Sequence, residues 1–247
     1  MKCRNYAHRG FSGQYPENTM LAFRKALAAG CEGIEFDVHL TRDGKLVIVH
    51  DEAIDRTSDG TGLVRDYTYE ELCRFNFAYP SRFGDAFGFE KIPTLEEYMD
   101  LVKDTDIITN IELKTGIYEY PGIEKAVYDV LTAYDMVDRA VVSSFNHFSV
   151  MRMKALDSRI ACGFLTGAWL LDSDRYVKEH GAQAYHPAFC ILTEEEAARL
   201  KAAGVQINTW TVNEEADIRR AIALEVDGII SNYPDRTGRL LKEAGLR

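Results

Sequence analysis

Runs of apolar residues long enough to cross a bilayer are missing from this chain, and positive charge is in deficit. No stretch of about 18 or more apolar residues occurs, so no helix is expected to span a membrane. The opening residues Met1–Gly10 carry no apolar leader and pass directly into a strand-like segment. Aspartate and glutamate number 39 against 29 lysines and arginines, a formal net charge of −10. A surface of that sign repels nucleic acid and anionic membranes, so neither is an expected partner. Cysteine is sparse: Cys3, Cys31, Cys73, Cys162 and Cys190 are scattered, odd in number and free of any C-x-x-C spacing. They read as reduced thiols of a cytoplasmic protein, mostly small buried hydrophobes.

What is present is a rhythm. The 247 residues are 46% hydrophobic, which suits one α/β domain over 1–247 with a sizeable core. Short β-branched runs at Arg4–His8, Gly33–Val38, Ile107–Glu112, Ala140–Ser144, Ile160–Phe164, Gln183–His186, Gln206–Trp210 and Gly228–Ser231 read as strands. Helical patterns lie between nearly all of them: 19–29, 94–103, 122–134, 147–156, 174–180, 194–203, 214–224 and 235–244. Thr94 with Glu97 three residues on forms a capping box. Alternation of this kind implies a parallel sheet with right-handed crossovers, and eight such strands close into a (β/α)8 TIM barrel. An open doubly wound sheet is disfavoured, because no Gly-x-Gly-x-x-Gly turn follows the first strand.

Two places break the rhythm. Leu46–Val49 is strand-like, yet only Thr41-Arg42-Asp43-Gly44 separates it from Leu40, too short for a helical crossover. Asp-Gly between apolar runs predicts a hairpin. A two-residue Asp43-Gly44 turn would pair Arg42 with Lys45 and, further down, Asp37 with His50. After that comes a stretch at about 51–93 with several Phe and Gly but no clear rhythm, expected to be a small capping insertion whose aromatics pack its own core.

In a barrel, chemistry sits at the C-terminal ends of the strands. In Gly33-Ile34-Glu35-Phe36-Asp37-Val38, alternation puts Glu35 and Asp37 on one face and the apolar residues on the other. The outward face must pack on helices, so the carboxylates point inward. In Asn110-Ile111-Glu112-Leu113-Lys114, Glu112 and Lys114 share a face, and this strand neighbours the previous one once the hairpin is set aside. Arginine or lysine could neutralise such carboxylates. Three at one level also suit a hard divalent cation with oxygen ligands, Mg²⁺ or Ca²⁺, with Mn²⁺ left open. A thiolate or three-histidine zinc site finds no support.

His8-Arg9-Gly10, Pro16-Glu17-Asn18-Thr19, Glu35-Phe36-Asp37-Val38, Asp43-Gly44, His50-Asp51, Arg56-Thr57, Ile92-Pro93-Thr94-Leu95, Glu112-Leu113-Lys114 and Trp210-Thr211-Val212-Asn213 run through the chain in that order. Together they resemble the glycerophosphodiester phosphodiesterase family, its short cytosolic bacterial members above all. The resemblance implies a barrel, a divalent cation held by Glu35, Asp37 and Glu112, and paired acid–base histidines at His8 and His50. It implies hydrolysis of a small-molecule glycerophosphodiester to sn-glycerol 3-phosphate and an alcohol. Arg9 is suited to fork onto phosphate oxygens, with Lys114 nearby, which gives an acidic protein its local positive charge. His8 is taken as base and His50 as acid, although the sequence equally allows the reverse. The nucleophile stays open between water and the glycerol 2-hydroxyl.

Around these, Glu17 is expected to order Arg9, Asn18 to cap a helix, and Trp210 to wall the substrate pocket or pack the barrel mouth. Phe145, Asn146 and His186 are placed near the pocket without a decision. His39 alternates away from it, His147 and His180 are expected on the surface, and Asn232 follows the last strand, where it could touch the ligand but a turn role is preferred. A homo-oligomer is left open. A related barrel phosphodiesterase acting on inositol or sphingo lipids would want exposed aromatics around its rim for docking on bilayers and an export signal, and no such signal is read at Met1–Gly10. A barrel that binds phosphorylated ligands without turnover would lack a histidine or a carboxylate. An aldolase would need a lysine in an apolar pocket, whereas carboxylates would hold Lys114 protonated.

Overall fold

The computed structural model describes residues 3–247. Eight parallel strands close on themselves: β1 (Arg4–His8), β2 (Gly33–Leu40), β4 (Ile108–Leu113), β5 (Ala140–Ser144), β6 (Ala161–Thr166), β7 (Ala184–Pro187), β8 (Gln206–Thr209) and β9 (Gly228–Ser231). The ring closes through β1, which pairs with both β2 and β9. β3 (Leu46–Ile48) lies outside it, antiparallel to β2. Helices α1 (Met20–Ala28), α4 (Leu95–Val102), α5 (Ile123–Ala133), α6 (His147–Leu156), α7 (Ser173–Glu179), α8 (Glu194–Ala202), α9 (Glu215–Ala223) and α10 (Pro234–Glu243) cover the ring, while α2 (Tyr69–Leu72) and α3 (Pro80–Phe83) belong to the segment before α4. The fold is the TIM barrel that the strand–helix alternation predicts.

The core is built where alternation requires it. Phe36 of β2 faces outward and meets Phe23 of α1 and Tyr98 of α4, with ring centroids 4.3–5.7 Å apart. Each such ring removes a large apolar area from water, which is why the outward face of β2 tolerates no charge. Thr94 closes a capping box with Glu97 at the start of α4. Thr19, not Asn18, caps α1, accepting from Ala22 N.

The hairpin forms, but one residue out of the expected register. Val38 pairs with Ile48 and Leu40 with Leu46. The turn therefore holds three residues, Arg42-Asp43-Gly44, with Gly44 left-handed at φ 78°. Thr41 fixes that longer turn by donating to Asp43 Oδ1 at 2.5 Å and accepting from Lys45 N at 2.9 Å. A three-residue loop ending in a left-handed glycine is a common hairpin solution, and Asp-Gly does not distinguish it from the shorter one. His50 is thus not paired with Asp37. It lies beyond the end of β3 and reaches the barrel mouth from the following turn.

Residues 51–93 assemble a small apolar cluster of Ile54, Val64, Leu72, Phe77 and Ile92 against Val47 and Val49. Arg82 donates to the Ser12 and Gly13 carbonyls at 3.1 and 3.0 Å, tying this segment to the loop after β1.

Candidate functional site

Glu35, Asp37 and Glu112 each offer an oxygen within 4.8 Å of the others, and all three are buried. Strand register produces this: Asp37 pairs with Glu112, and His8 with Glu35. Three carboxylates so close cannot all ionise unaided. Burial, then Asp37 and Glu112, pushes the Glu35 carboxyl well above its ordinary range. Burial and Asp37 likewise raise Glu112. Burial works against Asp37 too, but Arg9, His50 and Lys114 outweigh it and hold Asp37 ionised. One buried oxygen, Asp37 Oδ1, has no hydrogen-bond partner. An all-oxygen, anionic donor set with an oxygen to spare fits a hard divalent cation.

Positive charge surrounds the trio. Arg9 Nε lies 3.4 Å from Asp37 Oδ2, and Arg9 Nη1 donates to Glu17 Oε1 at 2.9 Å. Arg9 and Gly10 both take left-handed φ, 54° and 76°. A Cβ on Gly10 would meet the Ala22 backbone at 2.8 Å, so this turn requires glycine. Lys114 Nζ donates to Glu112 Oε1 at 2.9 Å and lies 3.2 Å from His50 Nε2. Burial pulls the Lys114 ammonium down, but Glu112 and Asp37 outweigh it and keep it protonated.

The two histidines have different partners. His8 Nδ1 meets Asn232 Oδ1 at 2.6 Å, and burial, with Arg9 adding to it, pushes its pKa down to about 3. An oxygen acceptor there fixes the proton on Nδ1 and leaves the Nε2 lone pair facing the trio, 3.8 Å from Glu35 Oε2. His50 Nδ1 meets the Asp51 carboxylate at 2.5 Å. Asp51 in turn accepts from Arg56 Nε at 2.6 Å, and Arg56 also donates to both oxygens of Glu17 at 2.8 and 3.0 Å. A continuous chain of charged bonds therefore joins His50 to Arg9 through Asp51, Arg56 and Glu17.

A cavity opens here, and its walls include His8, Arg9, Glu35, His50, Glu112, Phe145 and Trp210. Trp210 Nε1 donates to the His186 carbonyl at 2.8 Å, and its ring meets Phe145 edge-on at 5.5 Å. Every residue singled out from the sequence for catalysis, cation or substrate is brought to this end of the barrel. Others sit elsewhere. His186 is buried within the barrel against Asn208 rather than lining the cavity. His147 is half-buried and bonded to the Tyr176 hydroxyl and the Leu165 carbonyl, not a free surface group. Asn146 caps α6.

Two site residues escaped the sequence reading. Asn232, for which the sequence favours a turn role over a touch on the ligand, lies behind His8. Asn18, expected as a cap, has φ 57° and donates to Asp37 Oδ2 at 2.9 Å. Arg56 was visible only as part of an Arg-Thr motif.

The sequence profile of the glycerophosphoryl diester phosphodiesterase family matches residues 8–236. A glycerophosphodiester phosphodiesterase of Bacillus altitudinis is 43% identical over 96% of this chain and 98% of its own length. One of Caldanaerobacter subterraneus subsp. tengcongensis is 39% identical over 99% of this chain and all of its own. The structure of a phosphodiesterase of Oleispira antarctica in complex with the product sn-glycerol-3-phosphate superposes with a TM-score of 0.89. It is 30% identical, with 98% of this chain and 97% of that one covered. The chain belongs to the glycerophosphoryl diester phosphodiesterase family of phosphoric diester hydrolases.

Proposed function

We propose that this enzyme hydrolyses glycerophosphodiesters to sn-glycerol 3-phosphate and an alcohol, using a divalent cation at Glu35, Asp37 and Glu112 and the histidine pair for proton transfer. The observation that carries the reading is the carboxylate trio set between two imidazoles with different partners. A cation bound there would neutralise the non-bridging phosphate oxygens and act as a Lewis acid.

The chain's own groups do the rest. Arg9, held flat by Glu17 and Asp37, presents its guanidinium to the anionic phosphate, and Lys114 adds a second positive charge. His8, kept neutral by burial and with its lone pair directed at the trio, takes the proton from the attacking hydroxyl. His50, oriented by Asp51 at Nδ1 and with Nε2 turned toward the cavity beside Lys114, gives a proton to the departing alkoxide. The phosphorus–oxygen bond to the leaving alcohol breaks as the new one forms. Trp210 and Phe145 give the cavity an apolar wall against which carbon-bearing parts of the substrate can lie.

A coupled assay for released glycerol 3-phosphate, run over several glycerophosphodiesters, tests this. Release should stop in chelator and return with Mg²⁺ or Ca²⁺. His8→Ala and His50→Ala should each lower kcat by about 10² to 10⁴. Full activity in chelator removes the cation from the mechanism, and full activity in both variants removes the acid–base pair.

A further inference from the structure

One arginine links the two sides of the site from outside the cavity. Arg56 lies in the turn after β3 and is half-buried, whereas the Glu17 carboxylate that it meets is only 8% exposed. All five of its N–H donors are used. Nε donates to Asp51 Oδ2 at 2.6 Å. Nη1 donates to Glu17 Oε2 and to the Tyr79 hydroxyl, each at 3.0 Å. Nη2 donates to Glu17 Oε1 at 2.8 Å and to Asp51 Oδ1 at 3.0 Å. A guanidinium carries five such donors in a fixed planar fork, so the arrangement has no slack. The walls of the reaction cavity include Arg9 and His50 but not Arg56.

The acceptors are already committed to groups at the site. Asp51 Oδ1 is the oxygen that meets His50 Nδ1 at 2.5 Å, and Glu17 Oε1 is the oxygen that accepts from Arg9 Nη1 at 2.9 Å. Any rotation of Arg56 is therefore passed to His50 on one side and to Arg9 on the other. Burial alone would push the Glu17 carboxyl up. Its bonds from Arg56, then the charge of Arg9, bring it below its ordinary range, so it stays ionised to hold Arg9. The far sides of Arg9 and His50 are joined as well. Arg9 Nε lies 3.4 Å from Asp37 Oδ2, and Lys114 Nζ lies 3.8 Å from Asp37 Oδ1 and 3.2 Å from His50 Nε2. The groups form a closed ring, His50–Asp51–Arg56–Glu17–Arg9–Asp37–Lys114, in which the fixed charges alternate in sign. A fully bonded polar network of this kind rigidifies its members.

Arg56 is seated in the small insertion. Ile54, two residues before it, is buried in the insertion's apolar cluster. The Arg56 carbonyl accepts from Ser81 Oγ at 3.0 Å, and the Thr57 carbonyl accepts from Tyr79 N at 3.1 Å. The guanidinium lies over the Tyr79 ring, 5.3 Å from its centroid. The insertion thus fixes the backbone, and the side chain reaches from it toward the barrel. We propose that Arg56 is a positioning residue, through which the insertion sets the proton-donating histidine and the phosphate-binding arginine in one geometry. This rests on the function proposed above and adds a residue to the same site. Its loss acts twice, on kcat through Asp51 and His50, and on KM through Glu17 and Arg9.

The test measures kcat and KM for glycerophosphocholine, with Mg²⁺ added, in the wild-type enzyme, Arg56→Gln, Arg56→Lys, His50→Ala and the double variant His50→Ala, Arg56→Gln. Arg56→Gln should lower kcat by about 10- to 100-fold, the usual cost of an outer partner, and should raise KM. Arg56→Lys keeps the charge but has no fork to span two carboxylates, so it should lose nearly as much. In the His50→Ala background, Arg56→Gln should cost no further kcat and should still raise KM, because the Arg9 arm remains. Full activity in Arg56→Lys overturns the proposal, since charge alone then suffices. So does a kcat loss that adds in full to that of His50→Ala, which would make Arg56 a support of the insertion rather than of the histidine. An unchanged KM in both Arg56 variants overturns the link to Arg9. A wild-type enzyme that cleaves no glycerophosphodiester overturns the proposed function and this inference with it. One that cleaves them, with kcat and KM untouched in Arg56→Gln, overturns the inference alone.

Discussion

At the level of single side chains, the two histidines proposed for proton transfer are distinguished by what stands behind them. His8 has an amide oxygen at Nδ1 and His50 a carboxylate. An amide fixes ring orientation alone, whereas a carboxylate fixes it and sets a negative charge beside the ring. Asn232→Ala should therefore leave His8 free to turn and lower kcat by about 10- to 100-fold with KM little changed, the usual cost of losing such an outer partner. Asn232→Asp restores an acceptor and should recover part of the loss. Equal loss in both variants would show that orientation is not what Asn232 supplies. The pairing was illegible in the sequence because 224 positions separate the two residues. Only closure of β1 against β9 joins them. Glu35, Asp37 and Glu112, by contrast, could be read from strand alternation alone, since the apolar residues between them had to face the helices. Asn18 was misread because a helix cap and a left-handed turn residue favour the same short polar side chains.

Among the elements, the hairpin shows how far local signals reach. Asp43-Gly44 and the lack of room for a crossover were enough to place β3 antiparallel to β2. They could not set the loop length, because Thr41 and its bonds to Asp43 and Lys45 decide between two and three residues. The error is one residue in register, yet His50 still arrives at the site, because it follows the strand rather than belonging to it. Gly44 is the hinge of this arrangement: a Cβ there would meet nothing within 4 Å, so only the backbone conformation forbids a side chain. Gly44→Val should lower the unfolding free energy by about 1–2 kcal/mol in urea melts, the cost of a left-handed non-glycine residue. No change in stability would mean that the turn has reshaped to the two-residue form. The His50-dependent kcat is the companion readout, since reshaping would also shift the following turn. Helix limits, in contrast, fell within about two residues of those expected, because capping threonines and terminal glycines announce them directly.

Over the whole molecule, buried ionisable groups make stability depend on solution conditions in two opposite senses. His39 and His186 are neutral in the folded barrel, with burial pushing their pKa values down to about 4 and about 3. In the unfolded chain they titrate near 6.5. Their folded values lie below the unfolded one, so stability is complete above about pH 6.5 and is lost as pH falls below it, by up to about 1.4 kcal/mol per pH unit for each group. His186→Asn should make that acid slope shallower by one proton in melts between about pH 6.5 and 4. The carboxylate trio acts the other way. Its mutual repulsion is confined to the folded state, because only the fold brings Glu112 beside Asp37. A cation that binds there and not to the unfolded chain stabilises the barrel by mass action, about 2.7 kcal/mol at a hundredfold excess over Kd. For a domain of this size that corresponds to a rise in Tm of about 5–10 °C. Mg²⁺ or Ca²⁺ titrated into the chelator-treated protein should produce this rise, and Glu112→Gln should abolish it. The measurement reads occupancy without turnover, so a flat Tm in the wild-type protein would remove the cation from Glu35, Asp37 and Glu112 even if the enzyme were active. The repulsion would then have to be relieved by protons alone, on Glu35 and Glu112.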